Sequence, residues 1–344
     1  MIAQPSTEQF EVVTCALCGG NYEQLVIEGP DRNYESPGVF RVVRCLSCGL
    51  IYTNPRPRPE ALGAYYPNDY GPHNRAIMIP SGQQTFLDRW KVWIKYGVAD
   101  AFYYQRPVTI WKKLLLLPFV LWFRLLRVIL LPSPLDASAR LLDIGCGTGA
   151  YLATLIGQWP ELYGVEPDED AAHRAMQVPG LKIHAGTVES SAFPDAFFDV
   201  IVLWHVLEHV PNPCEVLNEI RRILKPGGHV LIMVPNIATF EFKLFGISWM
   251  GLDVPRHLYH FSPDTLQRML ANAGLQVLRV NFQIEAATIE SSLRNLMNLK
   301  RRDPGGIGWK IARLFFWGLS FLLAQLKTSG IIVIYARRDE REIK

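Results

Sequence analysis

Seven short apolar runs recur along the last two thirds of the chain, at residues 141–144, 162–165, 181–184, 198–203, 229–234, 275–280 and 331–336. Each is four to six residues long and bounded by polar or glycine-containing segments, the pattern of buried strands. Between them the apolar spacing changes. Residues 150–155 begin a helical pattern, and Val216, Leu217, Ile220, Ile223 and Leu224 fall on one helical face. Lys225-Pro-Gly-Gly228 predicts a glycine cap and a turn at the end of that helix, while Ser262-Pro-Asp264 predicts the start of another. Strands alternating with helices imply an α/β fold, a doubly wound sheet of seven strands, with a long excursion before the last one.

The first run continues into Asp143, then Gly145-Cys146-Gly147-Thr148-Gly149. Glycines spaced two apart let the backbone approach a ligand with no Cβ in the way. The spacing is not the dinucleotide G-x-G-x-x-G. A carboxylate at Asp143 repels a pyrophosphate and suits an ammonium group. The second run ends in Glu166, at the separation where an acidic residue grips two ribose hydroxyls. Together these residues resemble the class I S-adenosylmethionine (SAM) methyltransferases. The resemblance implies a Rossmann-like sheet in which Asp143, Gly145, Cys146, Gly147 and Gly149 hold the methionine part and Glu166 the ribose. It also implies an adenine contact near Gly186-Thr187-Val188-Glu189. Thr187 stands where an Asp is more usual, so Glu189 takes over or the contact is made by backbone near Val188.

Cys15, Cys18, Cys45 and Cys48 form two C-x-x-C pairs, each followed by a glycine and separated by 26 residues. Four thiolates offer a closed, tetrahedral, structural zinc site with no open position for a catalytic water. A pair of reactive dithiols is the alternative, although nothing nearby looks like a redox helix. The charges between the pairs are mixed, so no phosphate-binding surface is evident and no nucleic acid is expected. The knuckles and the following Gly49-Leu-Ile-Tyr52 resemble the N-terminal region of bacterial zinc-ribbon methyltransferases, some of which act on nucleotide sugars. Downstream come prolines and aromatics, including Tyr65, Tyr66 and Tyr70, expected to pack back on the main domain.

Phe198-Asp199 opens the fourth run, and Trp204-His205 closes it, where the resemblance places the sulfonium pocket. His205 and His209 are four apart, with Glu208 between them. Three roles are open here: substrate pocket or general base at His205, a metal site of His205, Glu208 and His209, or packing of the turn. The metal arrangement is similar to the E-x-x-E-H of ubiquinone-pathway O-methyltransferases, with His205 in place of the first Glu. Arg256, His257, Tyr259 and His260 form a second group, either at the substrate or in a loop held by its own hydrogen bonds. His205, His257 and His260 are the expected catalytic candidates, and Trp204 a cofactor contact.

Two stretches do not fit this plan. Residues 107–132 and 309–327 contain uncharged runs of 10 and 13 residues, short of the ~20 that a bilayer core requires. Lys113, Arg124 and Arg127 share one helical stripe, as do Lys310, Arg313 and Lys327, with Trp111, Trp122, Trp309 and Trp317 nearby. Arg294, Lys300, Arg301 and Arg302 add charge beside the second stretch. This is the pattern of an interfacial helix, and packing on the sheet or across a homodimer is the alternative. With a net charge of only +3 and no visible signal peptide in residues 1–10, the expected setting is a reducing cytoplasm, including the inner membrane surface.

The expected division is a zinc-ribbon module at 1–58, a linker and amphipathic region at 59–135, and a methyltransferase domain at 136–344 with a helical insertion at about 285–329. The expected activity is methyl transfer from SAM to a hydroxyl of a small molecule, sugar or lipid-linked glycan. The rivals are C- or N-methylation of a nucleotide sugar and a non-catalytic SAM- and zinc-binding scaffold.

Overall fold

The computed structural model describes residues 9–67, 86–104, 106–299 and 307–339. Residues 1–8, Tyr70, Lys300, Arg301 and Arg302 lie outside the described residues.

The chain opens with β1 (Phe10–Glu11), β2 (Glu23–Gly29), β3 (Phe40–Cys45), β4 (Ile51–Thr53), β5 (Arg56–Pro57) and the one-turn helix α1 (Pro59–Leu62). Two helices follow, α2 (Phe86–Val98) and α3 (Ile110–Leu125). Next come β6 (Arg140–Ile144), α4 (Ala150–Ala153), β7 (Glu161–Glu166), α5 (Glu169–Met176), β8 (Leu181–Ala185) and β9 (Phe198–Trp204). After these run α6 (Pro213–Ile223), β10 (Leu224–Pro235), α7 (Phe240–Phe245), β11 (Tyr259–His260) and α8 (Pro263–Asn272). The last elements are β12 (Leu275–Phe282), α9 (Ala286–Leu296), α10 (Ile307–Gln325) and β13 (Ile331–Arg338).

All seven apolar runs are strands of one mixed sheet, in the order β12-β13-β10-β9-β6-β7-β8. The pairs β6–β7 and β7–β8 are parallel, and β13 runs antiparallel to both β10 and β12. The Phe-Asp pair that opens β9 has a physical reason: the Asp199 carboxylate accepts the Arg140 amide at 2.8 Å at the start of β6. Helix α6 buries Val216, Leu217, Ile220 and Ile223, the face that its spacing predicts.

Two local expectations are corrected. Extended backbone at Leu224, rather than a glycine cap, ends α6, and Gly227 (φ 73°) turns within β10. The helix after the glycine loop is a single turn, because Leu155 and its neighbours leave it.

Contacts divide the chain differently from 1–58, 59–135 and 136–344. One unit contains residues 1–71, 194–196 and 202–344, and the other residues 72–193 and 197–201. The N-terminal strands share their sheet with β11, in the order β11-β4-β3-β2. Tyr259 lies opposite Tyr52, and His260 opposite Ile51. The same unit has a continuous core in which Phe40, Val42 and Ile51 join Trp249, Ile289 and Phe316. Helices α9 and α10 of the predicted excursion thus cover the N-terminal strands. Glu241, buried in α7, ties this region together by accepting from Thr288 Oγ1 and the Gly330 amide, both at 2.9 Å.

Candidate functional site

In the unit of residues 72–193, Gly145, Gly147 and Gly149 all have left-handed backbone, with φ of 72°, 54° and 78°. An L side chain is strained there, which explains the glycine spacing. The amides of Gly145 and Cys146 bond to Val165 O, and that of Gly149 to Cys146 O, so the loop is fixed from within. Glu166 at the end of β7 accepts the Gly147 amide at 2.7 Å and the Asp168 amide at 2.9 Å. The Cys146 thiol lies over Gly164, turned beneath the loop, so the loop's chemistry is backbone rather than thiol.

Asp143 is buried, and its Oδ1 has no hydrogen-bond partner. Burial, reinforced by the neighbouring Glu166 carboxylate, pushes Asp143 well above the usual carboxylate range. A buried acceptor without a donor is costly. An ammonium or other cationic donor relieves both the missing hydrogen bond and the repulsion. The residues therefore fit the methionine end of SAM, with Glu166 held near the loop.

The third turn is more modest. Thr187 and Ser190 spend their hydroxyls on each other's backbone, Val188 is buried and Glu189 is exposed.

In the other unit, the four cysteines of the two knuckles converge. Cys15 Sγ lies 3.4 Å from Cys48 Sγ, and Cys18 Sγ 3.5 Å from Cys45 Sγ. All four sulfurs fall within 4.8 Å of one another. Zinc–sulfur bonds of about 2.3 Å in a tetrahedron place sulfurs about 3.8 Å apart, so the group has the right size for zinc. The knuckles repeat one backbone design: Cys15 N donates to Gly20 O and Gly19 N to Cys15 O, as Cys45 N does to Leu50 O and Gly49 N to Cys45 O. Gly19 and Gly49 take the left-handed turn in each, at φ 70° and 80°.

The same unit carries Trp204, half-buried at the end of β9, and then His205. His205 has left-handed backbone (φ 57°), and its amide bonds to Met233 O. A non-glycine residue held there is strained and needs the surroundings to fix it. Its Nδ1 lies 3.2 Å from Glu208 Oε1, and its side chain is 39% exposed against 1% for Glu208. Burial is the largest influence and opposes charge on Glu208, but the His205 hydrogen bond and the electrostatic pull of His205, His209 and His257 together outweigh it and hold the carboxyl below the usual range. Glu208 Oε2 has no hydrogen-bond partner.

His209 and His257 pack edge to face with ring centres 4.6 Å apart. His209 Nδ1 lies 2.9 Å from the Tyr66 hydroxyl and 3.2 Å from Arg256 O, and His257 Nδ1 lies 2.9 Å from Gly251 O. A carbonyl only accepts, so each Nδ1 is protonated. Burial first, then His257, lowers His209 to about 4, leaving it neutral at physiological pH. Glu208, His209 and His257 each bring one ligand atom within 4.8 Å of the others. Two imidazoles and a carboxylate can hold a divalent cation. The set contains His257 where the sequence suggested His205.

Most of the second candidate group is structural. Arg256 is fully buried, donating to both oxygens of Asp31 at 2.8 Å and to Asp253 at 2.7 Å. Tyr259 donates to Pro211 O and accepts from Arg56. His260 is buried against Thr53, 3.4 Å from its hydroxyl. These side chains tie the loop down instead of facing solvent. His205 alone of the three expected catalytic histidines keeps a half-exposed ring. Sequence reasoning missed Tyr66, for which only an aromatic pair gave a signal, and the joining of His209 with His257.

A methyltransferase-domain family model matches residues 119–280. A protein of Mycolicibacterium smegmatis named as a probable S-adenosylmethionine-dependent methyltransferase is 32% identical over 162 residues, 45% of this chain and 60% of that one. A ubiquinone biosynthesis O-methyltransferase of Cereibacter sphaeroides is 32% identical over 161 residues, 42% of this chain and 62% of that one. This chain thus spans about 60% of the length of these relatives. Among solved structures, the Bacillus subtilis protein YcgJ is 22% identical with a TM-score of 0.41, covering 60% of this chain and 94% of its own.

Proposed function

We propose that this chain is a class I SAM-dependent methyltransferase, a reading that the methyltransferase-domain match over residues 119–280 supports, and that it methylates a hydroxyl on a small molecule, a sugar or a lipid-linked glycan. The observation that carries this reading is the buried, unpartnered Asp143 Oδ1 beside Glu166. SAM supplies an electrophilic methyl on a sulfonium. Asp143 takes the ammonium of its methionine part, the glycine loop leaves room for it, and Glu166 takes the ribose hydroxyls. His205 accepts the acceptor's proton at Nε2, while Glu208 fixes the ring through Nδ1 and stabilises the charge that forms. The four cysteines hold a structural zinc in a reducing cytoplasm.

Calorimetry with SAM tests the reading. Wild type binds, and Asp143→Asn and Glu166→Ala each weaken binding by about 30-fold or more, the effect of a lost buried charge contact of about 2 kcal/mol. No binding to wild type, or binding indifferent to both changes, sinks the proposal and favours a scaffold. If Asp143→Asn weakens binding while His205→Gln leaves turnover of a hydroxyl acceptor untouched, His205 is not the base; a labelled methyl recovered only on carbon or nitrogen of a nucleotide sugar replaces the hydroxyl reading. Isotope-labelled methyl transfer into membrane and cytosolic extracts supplies that acceptor.

A further inference from the structure

Helices α2 and α3 form a hairpin with a small core of its own. Ile94, Val98, Leu116, Val120 and Leu130 are buried between them, with Phe102 and Phe119 packed around. Only Leu116 and Val120 of the 16 residues in α3 are buried. Its other face carries Ile110, Trp111, Leu114, Leu117, Leu121 and Trp122, all exposed, with Leu121 72% and Trp111 79%. At 100° per residue the apolar exposed positions span roughly 160° of arc, centred opposite the buried pair. An apolar face this wide is unusual for a surface that meets only water.

The charges around it narrow what covers it. Helices α2 and α3 carry six basic side chains, Arg89, Lys91, Lys95, Lys112, Lys113 and Arg124, against one acidic, Asp88. On the wheel of α3, Lys112 borders one side of the apolar arc, and Lys113 and Arg124 the other. Long basic side chains at the rim of an apolar face lay their stems on it and lift their heads to the phosphate level of a bilayer. Lys112 already lies over the Trp93 ring, 5.4 Å from its centre. Between the helices runs an apolar groove of about 570 Å³, lined by Trp90, Ile94, Phe119 and Trp122, with Lys91 and Lys95 along it. It combines an apolar slot with adjacent cations, as a lipid chain and its headgroup require. Two copies packed face to face would instead set basic rim against basic rim.

We infer that the α2–α3 hairpin docks the protein on an anionic phospholipid surface, with the exposed face of α3 in the interface and the lysines and arginines at the headgroups. The docking is peripheral: no helix among the described residues is long and apolar enough to cross a membrane. It is independent of the acceptor and of the cofactor loop, so each can fail without the other.

The test is flotation of the full chain with vesicles of phosphatidylcholine alone or with one third phosphatidylglycerol. The wild type floats at least about tenfold more with the anionic vesicles, and moderate salt weakens this. Leu121→Ser with Trp122→Ser, and separately Lys113→Glu with Arg124→Glu, cut that flotation at least about tenfold. Both pairs keep the wild-type melting temperature and SAM affinity, since Leu121, Trp122 and Arg124 are exposed, Lys113 is only half-buried, and all four are remote in sequence from the loop. A wild type that stays soluble with both vesicles overturns the inference, as do equal flotation with both and variants that float as before. Sedimentation velocity covers the remaining occupant. A wild-type dimer that Leu121→Ser with Trp122→Ser splits into monomers, with no vesicle binding, assigns the face to a second copy and overturns the lipid assignment.

Discussion

His260 shows how a candidate residue becomes a structural one once its surroundings are known. Burial, with His257 adding to it, lowers its pKa from 6.5 to about 3. Between those values the unfolded chain binds a proton at this imidazole and the folded chain does not, so stability is present above pH 6.5 and is lost as pH falls. The maximum slope from one such group is about 1.4 kcal/mol per pH unit. His260→Asn should therefore flatten the dependence of unfolding free energy on pH between 6 and 5, whatever it does to stability at pH 7. Urea unfolding at several pH values measures this, and parallel curves for variant and wild type would rule it out. Asp143 and His205 differ in the same respect. Asp143 was legible because its spacing to glycines and to Glu166 is local and chemical. The left-handed backbone of His205 and its contact with a buried carboxylate follow from packing, which no spacing encodes.

At the scale of elements, periodicity made the seven strands and α6 legible, and the two knuckles announced themselves by cysteine spacing. What sequence could not give was β11. A two-residue strand has no period, and its partner β4 lies some two hundred positions away. The density of polar groups in residues 253–261 therefore left two readings open, a substrate group or a loop held by its own hydrogen bonds, and much of it anchors that strand. Arg256 is the anchor, enclosed by Asp31 and Asp253 with no solvent exposure. Arg256→Met removes the cation and strands two buried carboxylates, so it should cost about 3–5 kcal/mol of stability. Denaturant melts of the two proteins test it, and a loss below about 1 kcal/mol would mean the carboxylates find other partners.

For the whole molecule, bulk numbers were the least informative. A net charge of +3 conceals two helices, α2 and α3, in which bases outnumber acids six to one. The expected N-terminal boundary at residue 58 was the natural one for a knuckle pair followed by prolines, yet residues 40–53 share a sheet and a core with residues from the far half of the chain. A chain shortened to begin at residue 59 should therefore be poorly soluble and run as aggregates on gel filtration, whereas a detachable module would leave a monodisperse remainder. That shared sheet also bears on how such proteins can diversify. A knuckle domain that merely rides on an enzyme can be exchanged by recombination at its linker. Here β4 and β11 would have to be inherited as a matched pair, so the cysteine-bearing segment and the loop at residues 253–261 are bound to change together or not at all.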